Sequence, residues 1–186
     1  EHSMSSILKV DQLQDSGGNA IITSDGSGNV TQSKAGITMA DQWRLTSDIT
    51  ADTDPISSNL EQVDTSGQGT LGSAMTVSSG RFTFPQTGIY LVRFNAYVVS
   101  DSNGDNIRIF VRATTDNLNY TDLAQAYEGA SNERHMHLSA ESLVDVTDTT
   151  NVKVSFGVSS VDSGSILQGE TNRNSSYFTF LRLGDT

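Results

Sequence analysis

Along most of the chain, apolar residues recur at every second position, the spacing that sends alternate side chains of a strand to opposite faces. In "GRFTFPQTGIYLVRFNAYVV", residues 80–99, Phe82, Phe84, Tyr90, Val92, Phe94, Ala96 and Val98 share one face, which reads as core. The other parity carries Arg81, Thr83, Thr87, Ile89, Leu91, Arg93, Asn95, Tyr97 and Val99. That second face is too apolar for free solvation and too polar for a sealed interior, so the pattern predicts a partial cover. "DQWRLTSDI" aligns Trp43, Leu45 and Ile49, "NIRIFVRA" aligns Ile107, Ile109 and Val111, and "NVKVSFGV" aligns Val152, Val154, Phe156 and Val158. These are the patterns of half-buried strands. No window of a dozen residues carries a helical apolar stripe with a cap. The connections "SDSNGDN", "EGASNER" and "SVDSGSILQGETNRNSS" are rich in the turn formers Gly, Asn, Asp and Ser. An all-β antiparallel sandwich is predicted.

The front of the chain follows a different pattern. Residues 5–32 hold small apolar clusters (Ile7, Leu8 and Val10, then Ile21 and Ile22, then Val30) separated by "DSGGN" and "SDGSGN". They have too little apolar mass for a core of their own. Disorder is one outcome of such a composition; the regular β-prone clusters favour the other, stabilisation by copies of the same segment from neighbouring chains. Residues 5–37 therefore read as a short β-rich connector or stalk, residues 38–186 as the head, and the opening "EHSM", residues 1–4, as the remnant of a tag.

Length and charge narrow the function classes. The 186 residues suit one medium domain with an extension. With 11 Lys+Arg against 22 Asp+Glu the formal charge is −11, and the only lysines are Lys9, Lys34 and Lys153. A nucleic-acid partner is not expected, because phosphate binding needs a basic patch. No apolar run approaches the length of a membrane span, so no membrane insertion is expected. The absence of cysteine removes disulfide scaffolds, thiolate zinc sites and cysteine nucleophiles together.

Residues 80–183 resemble the jelly-roll head of the complement C1q and tumour necrosis factor superfamily. Gly80, Phe82, Thr83, Gly88 and Tyr90 are similar to its strand, base turn and second strand opening on Gly-x-Tyr; "NIRIFVRATTD" and "HLSAESLVDVTDTTNVKVSFGV" continue the pattern, and "SSYFTFLRL" resembles its terminal aromatic strand. Val92, Pro85 and Thr179 depart from it, standing where that family has an aromatic, a later proline and a glycine. The segment "SILKVDQLQ" with the turns that follow is similar to the opening of marine bacteriophage (cyanophage-type) fibre and structural proteins. The superfamily resemblance implies a homotrimer whose inner sheets meet around a threefold axis, which would supply the missing cover. Leu91, Tyr97, Tyr177 and Leu181 are then the interface candidates.

Histidines cluster only in "RHMHLSAESLVDV", where His135, His137, Ser139 and Glu141 lie opposite Met136, Leu138, Ala140, Val144 and Val146. Three copies of His135 and His137 near an axis would offer six imidazoles to a transition metal; the alternative is ordinary interface histidines bonded to Glu141 or a neighbour. No cofactor is otherwise required. Asp101, Asn103 and Asp105 alternate as calcium ligands do, yet Asn106 and Arg112 stand where a helix-loop-helix site needs Gly and Glu. Trp43 shares parity with Leu45 and reads as a packed wall rather than a sugar-stacking platform. The sequons at Asn29, Asn119 and Asn174 are expected by chance in so Asn- and Ser-rich a chain. No hydrolase elbow, phosphate loop or zinc-protease motif occurs, so no enzyme is expected.

If both head termini leave one end, the polar loops at 101–105, 128–134 and 161–175 gather at the far tip. Receptor contacts are then expected from Asp101, Asn103, Asp105, Asn132, Glu133, Arg134, Glu170, Asn172 and Arg173. The leading expectation is a bacteriophage tail-fibre or fibre-tip protein on the virion surface that adheres to a host glycan or protein. The alternatives are a secreted C1q-like recognition or signalling ligand and a virion decoration or scaffold protein with no receptor.

Overall fold

The computed structural model describes residues 10–32, 36–100, 106–129 and 134–186. The chain divides into two compact units, residues 1–36 and 37–186. The first holds an antiparallel meander of β1 (Gln12–Gln14), β2 (Ala20–Ser24) and β3 (Val30–Gln32). Its two turns repeat one device ten residues apart. Asp15 Oδ1 accepts the amides of Gly17 and Asn19, and Asp25 Oδ1 accepts those of Ser27 and Asn29. The Asn19 and Asn29 side chains return the bond to the same carboxylates. Val10, Leu13, Ile21 and Val30 are exposed, because three short strands cannot enclose them.

The second unit is a two-layer sandwich. Its strands are β4 (Met39–Leu45), β5 (Leu60–Gln62), β6 (Thr76–Ser78), β7 (Arg81–Thr83), β8 (Gly88–Ser100), β9 (Asn106–Thr114), β10 (Thr121–Gly129), β11 (Arg134–Val146), β12 (Lys153–Ser159), β13 (Ile166–Leu167) and β14 (Tyr177–Gly184). One sheet runs β11-β8-β14-β4-β5, with β13 on β8 beyond the start of β14; the other runs β10-β9-β12-β7-β6. All pairings are antiparallel. No helix occurs among the described residues, and so none long and apolar enough to cross a membrane.

The alternation seen in the sequence is the cause of the core. Phe82, Phe84, Tyr90, Val92, Phe94, Ala96 and Val98 are all buried, and they meet Ile107, Ile109, Val111, Val154, Phe156, Val158, Phe178 and Phe180 from both sheets. Phe156 stacks on Phe178 at 4.3 Å between ring centroids and meets Phe82 edge-on at 5.5 Å. Each such aromatic pair adds roughly 0.5–1.5 kcal/mol to its area burial. Gly80 is required where the chain enters β7: its φ is 75°, and a Cβ there would lie 2.4 Å from the Ile56 carbonyl oxygen. The strand predicted over "DQWRLTSDI" stops at Leu45, and Ile49 instead bridges to Leu167.

Register sets the two ends. Met39 opposes Arg182, and Gly88 opposes Val146, so the head begins and finishes at one end. Ser100 opposes Arg134 at the other, where β13 also pairs with Val98 and Val99. The stretch from 160 to 176 lies at that far end.

Candidate functional site

The outward face of the six-stranded sheet is layered by register. Nearest the start of β4 and the end of β14, Leu143 pairs with Leu91, Leu91 with Leu181, Leu181 with Ala40 and Ala40 with Leu71, which makes one apolar row across the sheet. Leu143 is 61% exposed and Leu71 50%, while Leu91 and Leu181 are half-buried. The next row is polar: Arg93 is ion-paired to Glu141, and Gln42 donates to Thr179 at 3.0 Å. Beyond it lie Ser139, Asn95 and Tyr177 in register. Farthest out, Tyr97 sits beside His137, and Val99 beside His135.

Tyr97 and His137 floor a cleft of about 390 Å³, whose wall is the coil following β13: Gln168, Arg173, Asn174 and Ser175. The Tyr97 hydroxyl and His135 Nδ1 are 2.7 Å apart, and the two rings lie nearly parallel, 14° from coplanar. That bond orients the phenol ring over the cleft. The wall is tied down at several points. The Gln168 amide donates to the Tyr97 carbonyl, Gly169 to Asp48 Oδ1 and Glu170 to the Leu45 carbonyl, each at 2.8–2.9 Å. Gly169 has no alternative, since a Cβ would fall 2.3 Å from the Ser47 carbonyl oxygen.

A buried cation completes the support. Arg44 projects from β4 toward the same coil and is 0% exposed. Its guanidinium binds Glu61, Asp64, Thr65 and Gln68. Thr65 Oγ1 in turn donates to the Asn172 carbonyl, and Gln68 Nε2 to Asn174 Oδ1 at 3.1 Å. Asn174 Nδ2 closes the chain on Gln42 Oε1. A charge removed from water needs partners of this kind; Nη1 and Nη2 have them while the buried Nε has none, and the network fastens the loop at 61–70 to the cleft wall.

The sequence-derived candidates fall in three places. Leu91, Tyr97, Tyr177 and Leu181 share the outward face and are all half-buried. Glu170, Asn172 and Arg173 lie in the coil after β13; of the three only Arg173 lines the cleft, with its Nη2 3.1 Å from Glu170 Oε1. Asp101, Asn103, Asp105, Asn132 and Glu133 lie outside the described residues, and Arg134 opens β11 opposite Ser100. His135 and His137 are exposed on the outward face, as their parity required. Of the two partners expected for them, Glu141 or a neighbour, Glu141 is bonded to Arg93, and the neighbour Tyr97 bonds His135. Among the described residues, no group of three or more His, Asp or Glu able to hold a metal is assembled within one chain. The six-imidazole arrangement would need further copies. Trp43 packs edge-on against Phe82 at 5.5 Å and donates its indole N–H to Asp41, which makes it a wall of the core.

Alternation gave no notice of Arg44, Gln168, Asn174 or Ser175. Arg44 looks like any outward strand arginine, and the other three belong to an irregular coil. On the opposite sheet, Arg112 is bound by Asp54 and Asp122, and Arg108 also reaches Asp122. Burial acts to raise the Asp122 carboxyl, but the hydrogen bonds from Arg112 and Arg108 outweigh it and hold the group below its ordinary range. This cluster borders a smaller cleft of about 180 Å³ with Pro55, Arg81, Tyr120 and Ser155.

Among solved structures, the Eiger TNF of S. frugiperda superposes with a TM-score of 0.56 at 14% identity, over 81% of this chain and 95% of that one. The fold is a tumour necrosis factor-like jelly roll. Murine APRIL superposes with a TM-score of 0.57 at 10% identity, over 78% of this chain and 98% of that one. No family model matches the sequence, and no curated protein matches it. At such identities the likeness concerns the jelly roll's architecture.

Proposed function

We propose that this jelly roll is one third of a homotrimeric recognition head, a binding module rather than an enzyme. The observation that carries the proposal is the leucine row. Leu143, Leu91, Leu181, Ala40 and Leu71 form a continuous apolar band on the outward face of a sheet whose other face is already the core. A lone subunit would leave that band wet, and contiguous exposed apolar surface of this kind marks interaction sites. Three copies related by a closed rotation would bury it against one another, as closed point-group symmetry allows.

The finer reading places the trimer at the tip of a bacteriophage tail fibre, on the virion surface. Residues 10–32 support the connector role, with a repeated turn and apolar side chains that a single chain leaves exposed. The far tip, opposite the head's own ends, presents a rigid polar coil, a suitable place for receptor contact on a fixed scaffold. Threefold repetition would convert modest contacts into avidity. Sedimentation equilibrium at micromolar concentration tests the assembly: a trimer mass supports the proposal, and a monomer mass refutes it. Adsorption of the purified chain to candidate bacterial hosts tests the fibre role. Trimers that adsorb to no host would leave pure architecture as the function.

A further inference from the structure

We infer that the cleft between Tyr97 and the 168–175 coil is a saccharide site, an inference that rests on the recognition-head reading and specifies its ligand. The argument begins with which polar groups are satisfied. On the outward face Arg93 is matched with Glu141 and Gln42 with Thr179, and at the cleft itself Asn174 is matched with Gln42 and Gln68 and the Tyr97 hydroxyl with His135. The other polar groups of the cleft are left open. The side chains of Gln168, His137 and Ser175 make no hydrogen bond among the described residues, and of the Arg173 guanidinium only Nη2 is engaged, by Glu170.

An amide, an imidazole, a hydroxyl and the free edge of a guanidinium therefore converge on one space, offering both donors and acceptors. A ligand rich in hydroxyl groups, each able to donate and accept, is the chemical match. The Tyr97 ring adds an aromatic surface, held by His135. A volume of about 390 Å³ falls at the lower end of the range for small-molecule sites, roughly 300–1,000 Å³. Most such sites are lined by apolar side chains. This one is not, which disfavours a lipid or an apolar peptide anchor.

The wall is also preorganised. Gly169 against Ser47, Glu170 against Leu45 and the Arg44 network fix the coil before any ligand arrives, so little ordering cost accompanies binding. The cleft is compatible with assembly through the leucine row. That row lies at the end of the sheet where β4 begins and β14 finishes, whereas desolvating the unmatched cleft groups in a dry contact would be costly. A saccharide site here therefore requires a trimer that packs through the leucine row and leaves Tyr97 and the far half of the face open.

The test uses the full chain on an array of defined neutral and uronate- or sialate-bearing oligosaccharides, followed by calorimetric titration of the best binder. Competition of that saccharide against whole-cell adsorption separates a cell-surface source from a free sugar. Gln168→Ala and Arg173→Ala truncate partly exposed groups and should leave the sedimenting mass unchanged. Each should weaken saccharide binding about tenfold or more, the usual consequence of losing a hydrogen bond to a polar or charged partner. Leu118→Ser, at a fully separate exposed position, should bind as the parent does. The inference is overturned by a parent that binds no saccharide, or by unchanged affinity in both cleft variants. A trimer that adsorbs to cells without binding sugar would sink the saccharide site and leave the recognition head standing. A monomer that binds sugar would do the reverse.

Discussion

Leu143→Ala isolates the leucine row from the stability of the fold. The side chain is 61% exposed in the single chain, so truncating it opens no core cavity. The change removes three carbons, worth about 2.4 kcal/mol at full burial from about 0.8 kcal/mol per methylene. Only the exposed fraction remains to be covered on assembly, which leaves about 1.5 kcal/mol per subunit on the same scale. Three copies act in one trimer, for a total near 4.4 kcal/mol, or about three orders of magnitude in the association constant. Sedimentation equilibrium over a concentration series measures that constant, and urea unfolding of the variant monitors the fold, where a surface change should stay within about 0.5 kcal/mol. An unchanged trimer constant with an unchanged fold would refute the argument that the row is covered by neighbouring subunits.

Four further outcomes are expected. Arg44→Ala should cost about 3 kcal/mol in urea unfolding, somewhat tempered because Glu61 and Asp64 can rehydrate, and should speed amide exchange at residues 61–70; exchange no faster than in the parent would argue against the tether. Gly80→Ala should destabilise by more than about 1 kcal/mol, since it needs both a left-handed backbone and the space of the Ile56 carbonyl. Phe156→Ala should cost about 3–5 kcal/mol, because the ring touches Phe82, Phe94, Phe178 and Phe180 at the sandwich centre. Acid should destabilise the fold. The Asp116 carboxyl is held well below its ordinary 3.8 by hydrogen bonds from Asn119, Thr114 and Leu118, and Asp148 is lowered by Thr150 and Asn151. Carboxyls depressed in the folded state contribute stability above about pH 4 and lose it as the pH falls through their folded values. The melting temperature should therefore drop between pH 5 and pH 2, and Asp116→Asn should blunt that drop.

How much was legible in the sequence follows from the two lengths over which its signals act. Alternation is a local signal, and local steric rules oblige a strand to present alternate residues to one side. That is why the buried set from Phe82 to Val98 could be read without a structure, as could the outward placement of His135 and His137. Recognition of the jelly roll rested on the order of such strands, on Gly80, Phe82, Thr83, Gly88 and Tyr90, and on the aromatic strand at 175–183. The loops at 101–105 and 130–133 give no test of the tip candidates on them, while Glu170, Asn172 and Arg173 could be placed at the far end from strand direction alone.

What only the tertiary structure decided is register and the contacts of irregular coil. Leu143, Leu91, Leu181, Ala40 and Leu71 are scattered over more than a hundred positions, and one shift of pairing by a single residue would break their row. The cleft depends in the same way on Arg44 meeting Thr65 and Gln68, and on those residues meeting Asn172 and Asn174 more than a hundred positions later. Side-chain parity is dictated by a residue and its immediate neighbours, so the sequence displays it directly. Burial of a lone arginine and convergence of unmatched polar groups arise only when distant segments are brought together, so they appear only in the folded chain.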